Sequence, residues 1–298
     1  MPRSNEVQNQ KEIKEEGESF LSQPWKIFAF EAFLFSLTLA LGITAGFKIG
    51  KISKIKEFSL PEISLWQFLL YFLLATLFFL LTSFFSKRFK KGKEILFKGI
   101  FMLVVFWGGV FLLSLWISDV LALFLIGILI FCWFKKPTIF IHNLCIVLGI
   151  AGIGSNLGLG IEPQIVAALL IILSVYDFIA VNITKHMVKM AKEMVEMGAI
   201  LALILPPKIP DFRESIKTVK PGGKFLILGA GDIAFPLLFC VSLVPEGILN
   251  PLIVAFFALF GLFFSFWLFS SQKIRKAIPA LPPIALFSII GFLITRII

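Results

Sequence analysis

Two aspartates lie where an acidic side chain is costly, inside apolar runs of the chain. Asp177 lies in the run ALLIILSVYDFIAV and Asp232 in the run LILGAGDIAFPLLF. An Asp at the centre of a membrane span costs roughly 2.5 to 3.5 kcal/mol on insertion scales, so each one needs an explanation. Two carboxyls that face each other in a low-dielectric site cannot both ionise cheaply, and such a pair shares a proton. The ionised carboxyl can act as a general base on water while the protonated one polarises a peptide carbonyl, which is aspartic-protease chemistry.

The same two acids would also serve functions other than proteolysis. A proton relay, a cation site and a purely structural hydrogen bond all use intramembrane carboxyls, so residue type alone leaves these alternatives open. Glu31 is a further acid in an apolar run, about one turn from the inner end of that run and near Lys26. This position predicts an interfacial side chain that reaches water rather than a member of the site.

The residues that precede the two aspartates add information. Gly229, Ala230 and Gly231 come directly before Asp232. Small residues at these positions allow another helix, or an extended substrate strand, to approach closely, although ordinary helix packing uses the same residue types. Tyr176 directly precedes the other aspartate. Its hydroxyl could form a hydrogen bond within a site, or the aromatic ring could serve only to pack against neighbouring residues.

A proline-rich segment lies at the start of the last apolar run. Its sequence is Pro279, Ala280, Leu281, Pro282 and Pro283. Three prolines interrupt backbone pairing and favour an extended stretch, and non-helical backbone at membrane depth persists only beside a cavity. The alternative is a plain helix start with Pro in the first turn.

The composition shows which kind of element must position these residues. The chain has 298 residues, of which 58% are hydrophobic and 15% charged, and its mean hydropathy is +0.97. These values exclude an ordinary soluble globular protein and predict an all-α polytopic membrane protein. The three cysteines all lie in apolar runs, and no spacing typical of a metal site is present, so no metal or other cofactor is expected.

The apolar runs divide into nine predicted transmembrane helices in a single membrane domain. A polar tail covers residues 1–26, the first six spans lie within 27–183, a loop covers 184–224, and the last three spans lie within 225–298. The spans are placed near 27–47, 63–85, 99–117, 120–134, 139–155, 164–183, 225–242, 248–270 and 280–298.

The distribution of positive charge predicts the orientation. With the N-terminus on the cytoplasmic side, only Lys48, Lys51, Lys54, Lys56 and Arg296 of the 28 Lys and Arg residues lie outside. This asymmetry favours a cytoplasmic N-terminus and an extracytoplasmic C-terminus. The net charge of +10 is therefore mainly a topology signal, with some attraction to anionic lipids, and nucleic acid is not an expected partner.

The predicted cytoplasmic loop contains two segments of interest. Lys185 to Glu196 carries three methionines on one helical face, which predicts an amphipathic helix on the inner membrane surface. Met194 to Pro206 is apolar but too short to cross, so we expect an interfacial or re-entrant piece. In the fifth span, His142 with Asn143 is expected to be a hydrogen-bonded interfacial or interhelical pair rather than a catalytic base.

Together, three motifs in order resemble the presenilin and signal peptide peptidase family of GxGD intramembrane aspartyl proteases. They are Tyr176-Asp177 in span six, Gly229-Ala230-Gly231-Asp232 in span seven and Pro279-Ala280-Leu281 at the opening of span nine. The resemblance implies a nine-helix fold, a catalytic pair formed by the two Asp, and an active-site segment at Pro279 to Leu281 that helps to receive an unwound substrate. The predicted orientation is similar to that of the presenilin branch.

This resemblance also implies partners and a location. The expected substrates are single-span membrane proteins in the type I orientation, cleaved within their transmembrane segment, and the expected location is the cell membrane. Presenilins of eukaryotes act with accessory membrane subunits, and the sequence does not indicate whether this compact homologue needs any. The rival interpretation is a cation leak channel or proton-coupled transporter that uses the same two acids.

Overall fold

The computed structural model describes residues 24–56, 64, 66–67, 70–71, 73–74, 90–198, 200–220, 223–272 and 276–297. These residues are mostly helical. The helices are α1 (Pro24–Lys56), α2 (Lys90–Ser114), α3 (Asp119–Lys135), α4 (Ile139–Leu159), α5 (Pro163–Phe178), α6 (His186–Glu196), α7 (Ala230–Ser242), α8 (Leu249–Ser270) and α9 (Leu281–Thr295). Two short strands, β1 (Ala202–Leu205) and β2 (Leu226–Gly229), form one small sheet.

Several of these helices could cross a membrane. Within the described residues, five segments are long and apolar enough: Pro24–Ile52, Glu94–Ser114, Ile139–Leu159, Pro163–Ile183 and Leu249–Ser270. Helix α9 is apolar but shorter. The predicted span at 63–85 lies almost entirely outside the described residues.

Local sequence explains where several helices begin. The side chain of Thr138 accepts a hydrogen bond from the backbone N–H of Ile141 and caps α4. Pro163 occupies the first turn of α5, where its missing N–H costs nothing. Ser118 has an extended backbone directly before α3, and the acidic Asp119 occupies the first turn, where the helix N-terminus favours negative charge.

Close contact between α2 and α4 depends on glycine. A Cβ atom at Gly152 would lie 1.8 Å from the carbonyl oxygen of Gly108, and one at Gly108 would lie 2.1 Å from the carbonyl oxygen of Gly149. No side chain fits at such distances, so the two backbones touch directly. This is the usual way that membrane helices gain packing contacts without a hydrophobic driving force between them.

Helix α7 lies in the middle of the bundle. Its Leu237 fits between Gly42 of α1 and Gly154 of α4, where added Cβ atoms would meet the Leu237 side chain at 2.5 and 2.6 Å. Most of the residues from Ile233 to Ser242 are buried. The position of Asp232, at the start of this helix, is therefore held by packing on two sides.

The sheet corrects two expectations. Residues 225–229 were predicted as the start of span seven, but β2 occupies Leu226–Gly229 and the helix begins only at Ala230. The run Met194 to Pro206 was predicted as an interfacial or re-entrant piece, but its second half is β1, whose four residues are all buried. The strands pair antiparallel, with Ala202 opposite Gly229 and Leu205 opposite Leu226. A short apolar run suits a strand as well as a helix, and the pairing partner decides which one forms.

The chain after α5 changes direction in two steps. A π-helical turn, Ile179–Ile183, continues α5, and Lys185 then adopts the left-handed conformation with φ of 54°. Helix α6 follows, so the amphipathic helix predicted from the sequence is present. Left-handed backbone at a non-glycine residue is uncommon and marks a sharp break between the two helices.

Contacts at one end of the bundle bring together residues that were predicted to share the outer side. Lys48 Nζ lies 5.2 Å from the ring centre of Trp116, and Arg296 Nη2 donates a hydrogen bond of 2.7 Å to Glu246 Oε1. A Cβ at Gly46 would lie 3.1 Å from Val241, close to the turn that carries Glu246. The two aspartates lie toward the opposite end.

Candidate functional site

Asp177 is a buried acid at the end of α5. Its side chain is only 6% exposed, and its Oδ2 atom has no hydrogen-bond partner among the described residues. The π-helical turn begins two residues later. Single π turns within α-helices occur frequently at functional sites because they re-aim side chains.

Asp232 lies in the first turn of α7. The backbone N–H of Gly229 faces its carboxylate, and the N-terminal end of a helix favours negative charge. A Cβ atom added at Gly229 would lie 3.0 Å from Asp232 Oδ2, whereas one at Gly231 would meet only the ring of Phe235 at 3.5 Å. Of the two glycines in the motif, Gly229 is therefore the one that leaves space for the carboxyl.

The two aspartates interact electrostatically across the site. The charge of Asp177 acts on the carboxyl of Asp232, so the fold brings the two side chains near each other. The backbone N–H of Leu281, the first residue of α9, stabilises negative charge on Asp177. Each carboxyl thus lies beside a helix N-terminus, Asp232 at its own helix and Asp177 at α9.

The proline-containing segment lies against this pair. Residues 276–279 have no regular secondary structure, and α9 starts at Leu281 with Pro282 and Pro283 in its first turn. Pro279 is buried, and Leu281 is 4% exposed. The helix start with prolines in its first turn, one of the two alternatives from the sequence, is therefore present, and irregular backbone precedes it.

A cavity of about 120 Å³ lies beside this segment. Strand β2 forms one wall, the C-terminal end of α8 forms another, and Ala277, Ile278 and Ala280 close it. Glu31 from α1 also lines it. The cavity thus adjoins both the strand that leads to Asp232 and the segment that leads to Leu281.

The burial of Glu31 differs from the expectation based on the sequence. It was predicted to reach water at the membrane interface, but its side chain is 4% exposed and its Oε2 atom has no hydrogen-bond partner in the described part of the chain. The negative charge of Asp232 acts electrostatically on the carboxyl of Glu31. The only sequence signal was an acid within an apolar run, and proximity to Lys26 suggested the wrong explanation.

Two further motif residues have more open surroundings. Tyr176 is 37% exposed, and Ala230 is partly buried at the first position of α7. The backbone N–H of Ala230 donates a hydrogen bond of 3.1 Å to the carbonyl oxygen of Leu201, so the pairing of the sheet continues up to the helix. Ala230 therefore connects β2 rigidly to the helix that carries Asp232.

His142 and Asn143 of α4 support the sheet. The Asn143 side chain donates to the carbonyl oxygen of Ile204 at 2.7 Å and accepts from the Ile204 N–H at 2.9 Å. His142 Nε2 lies 3.1 Å from the carbonyl oxygen of Ala202, and Trp133 Nε1 donates to His142 Nδ1. Both residues are hydrogen-bonded, as the sequence predicts. Their bonds join a helix to a strand, however, whereas the sequence predicted an interfacial or interhelical pair. Their side chains occupy the edge of β1 that faces away from β2.

Comparisons with known proteins show which fold this chain shares. Two solved structures described as a presenilin family intramembrane aspartate protease, in C222 and P2 space groups, share the fold. The first has a TM-score of 0.58 and 20% identity over 88% of this chain and 94% of that chain. The second has a TM-score of 0.57 and 21% identity over 88% of this chain and 96% of that chain.

The family assignment rests on the sequence over nearly the whole chain. No curated protein matches it significantly. The family model described as signal-peptide peptidase, presenilin aspartyl protease matches residues 30–298, which confirms the resemblance seen in the three motifs. The chain belongs to the signal-peptide peptidase and presenilin family of intramembrane aspartyl proteases.

Proposed function

We propose that Asp177 and Asp232 are the catalytic pair of this protease and that it hydrolyses peptide bonds within transmembrane segments. One observation carries the proposal. Two acids that are 55 residues apart in the sequence lie near enough for the charge of Asp177 to act on Asp232, and each lies beside a helix N-terminus. Intramembrane acids of this kind are costly, and the aspartyl protease family gives the pair a reaction to perform.

The reaction requires the pair to hold one proton between them. The ionised aspartate removes a proton from water, and the hydroxide adds to the scissile carbonyl carbon while the protonated aspartate donates a hydrogen bond to the carbonyl oxygen. The tetrahedral intermediate then collapses. The C–N bond breaks, the amine nitrogen takes up a proton from the pair, and the new carboxyl group remains on the other fragment.

Substrate access requires local unwinding because a transmembrane helix hides its peptide bonds in internal hydrogen bonds. Strand β2 and the segment Pro279 to Leu281 provide backbone groups for an opened substrate. Within the described residues, β2 pairs only with β1, whose far edge is occupied by the side chain of Asn143. An extended substrate can therefore add to the free edge of β2, and the site accepts it as an additional strand.

The proposed orientation places the site toward the cytoplasmic side. All Lys and Arg residues except Lys48, Lys51, Lys54, Lys56 and Arg296 lie on the inner side in a nine-span arrangement. Lys48 with Trp116 and Arg296 with Glu246 meet at the end remote from the aspartates, which supports this topology. Substrates in the type I orientation then enter with their carboxyl-terminal side toward the cytosol.

Cleavage of a single-span type I substrate by the purified protein in liposomes tests the proposal. Asp177→Asn and Asp232→Asn should each abolish cleavage, since neither role can be filled by an amide. The control is Asp119→Asn, an exposed aspartate at the start of α3, which should cleave at the wild-type rate. Cleavage that survives either site substitution would refute the pair, and aspartate-dependent cation flux without cleavage would favour the channel interpretation.

A further inference from the structure

Glu31 is a third buried carboxyl whose position the catalytic chemistry does not explain. It lies in α1, is 4% exposed, and has an Oε2 atom without a hydrogen-bond partner in the described residues. A buried carboxyl oxygen with no partner is expensive, so this oxygen calls for a ligand that is absent from the isolated chain. Glu31 is one of the residues that line the cavity of about 120 Å³ beside β2.

The cavity has the size and lining of a pocket for one side chain. Its volume lies well below the roughly 300 to 1,000 Å³ of pockets that enclose whole small molecules. Leu226, Leu228, Phe266 and Phe269 form apolar walls, and Glu31 contributes the charged group. Apolar walls with a carboxylate suit a side chain with an apolar stem and a cationic head, as in lysine or arginine.

The direction of the chain shows which part of a substrate would reach this pocket. Strand β2 leads from the cytoplasmic loop to Gly229 beside Asp232, so Leu226 and Leu228 lie on the inner side of the aspartates in the proposed topology. A type I substrate that pairs with β2 while its scissile bond lies at the aspartates passes these residues with its carboxyl-terminal side. Lys and Arg accumulate directly after the inner end of such a transmembrane segment.

We propose that Glu31 forms a specificity pocket that binds a Lys or Arg side chain on the carboxyl-terminal side of the scissile bond. The inference rests on the proposed function and orientation and deepens them. Binding this cation gives the unpartnered carboxyl its counter-charge and fixes the register of the substrate strand on β2. The substrates selected are therefore transmembrane segments whose first basic residue lies a short, fixed distance after the cleavage position.

The test uses a series of otherwise identical single-span substrates in liposomes. Lys, Met or Glu is placed in turn at successive positions after the cleavage site, and kcat/KM is measured for each substrate. At one position the wild-type protein should prefer Lys over Met by roughly tenfold, equivalent to about 1.4 kcal/mol, and should cleave the Glu substrate most slowly. Glu31→Gln keeps the shape of the side chain and removes its charge, so the preference for Lys over Met should fall by about the same factor.

The control variant is Glu162→Gln, which makes the same chemical change at an exposed residue at the opposite end of the bundle. It should keep the wild-type preference. A wild-type protein that shows no preference for Lys at any position, or a preference that persists in Glu31→Gln, overturns the inference. A wild-type protein that cleaves none of the substrates overturns the proposed function itself, which is a separate outcome from the loss of selectivity alone.

Discussion

Gly229 contacts the carboxyl of Asp232 so closely that no larger residue fits without moving it. The position of an added Cβ lies 3.0 Å from Asp232 Oδ2, tighter than almost all real Cβ contacts. The backbone N–H of the same glycine faces the carboxylate. Gly229 thus both leaves space for the carboxyl of Asp232 and stabilises its negative charge. This explains physically why a glycine occupies the first position of the motif.

Gly229→Ala should reduce cleavage by roughly tenfold or more, because displacing a reacting group by a fraction of an ångström costs transition-state stabilisation. The measurement is kcat for a type I substrate, together with the unfolding temperature. Gly127→Ala on α3 is the control, since a Cβ there meets nothing within 4 Å. Equal rates in the two variants would show that the Gly229 contact is without consequence.

Leu281→Pro should lower kcat by about tenfold to a hundredfold. Proline at the first position of α9 removes the backbone N–H that stabilises charge on Asp177, and hydrogen bonds to charged groups contribute roughly 1.5 to 3 kcal/mol. It also disfavours the αR backbone of Ala280 before it, which adds to the loss. Leu281→Val retains the N–H while changing the buried side chain, and it serves as the control. If both variants lose activity equally, the side chain rather than the backbone donor is responsible.

Asn143→Leu should destabilise the sheet. The substitution leaves both backbone groups of Ile204 without their partner in a buried place, and each unsatisfied group costs about 1 to 3 kcal/mol. We expect a lower unfolding temperature and slower cleavage. Asn156→Leu, on the exposed face of the same helix, should leave both unchanged. A similar unfolding temperature for the two variants would contradict a supporting role for Asn143.

Lys224 connects the start of β2 to the preceding loop through ionic contacts. Its Nζ donates a hydrogen bond of 2.5 Å to Glu214 and lies 3.7 Å from Asp211. Burial alone would lower the pKa of Lys224, but the hydrogen bond with Glu214 and the two negative charges outweigh it and raise the pKa above the usual 10.5. The charged lysine therefore stabilises the folded state below its usual pKa, and this contribution disappears as the pH rises through the folded-state pKa.

Lys224→Met should accordingly lower the free energy of unfolding by about 1 kcal/mol at neutral pH. Thermal unfolding of the two proteins across a pH series measures the difference, which should shrink as the pH is raised beyond 10.5. Lys220→Met replaces an exposed lysine of the same loop and should have no such effect. A difference that does not change with pH would mean that lost packing, and not lost charge, explains the variant.

The sequence by itself determined the membrane class, the position of most helices and the order of the three motifs. Hydropathy and helix length are local properties, so apolar runs near the thickness of a bilayer identify spans without knowledge of their neighbours. The cost of an acid in such a run singled out Asp177 and Asp232 for the same reason. Family membership followed from the residues around them.

Only the tertiary structure decided the sheet and the surroundings of the acids. A short apolar run such as Ala202–Leu205 suits a strand or a helix, and its pairing with Leu226–Gly229, across an intervening loop, is a long-range contact that no local pattern encodes. From the sequence, the position of Glu31 near Lys26 predicts a side chain at the membrane interface. In the folded chain, however, Glu31 lies beside α8 and β2 and is buried away from water. Burial and charge–charge distance depend on which elements become neighbours, and that is a property of the assembled bundle.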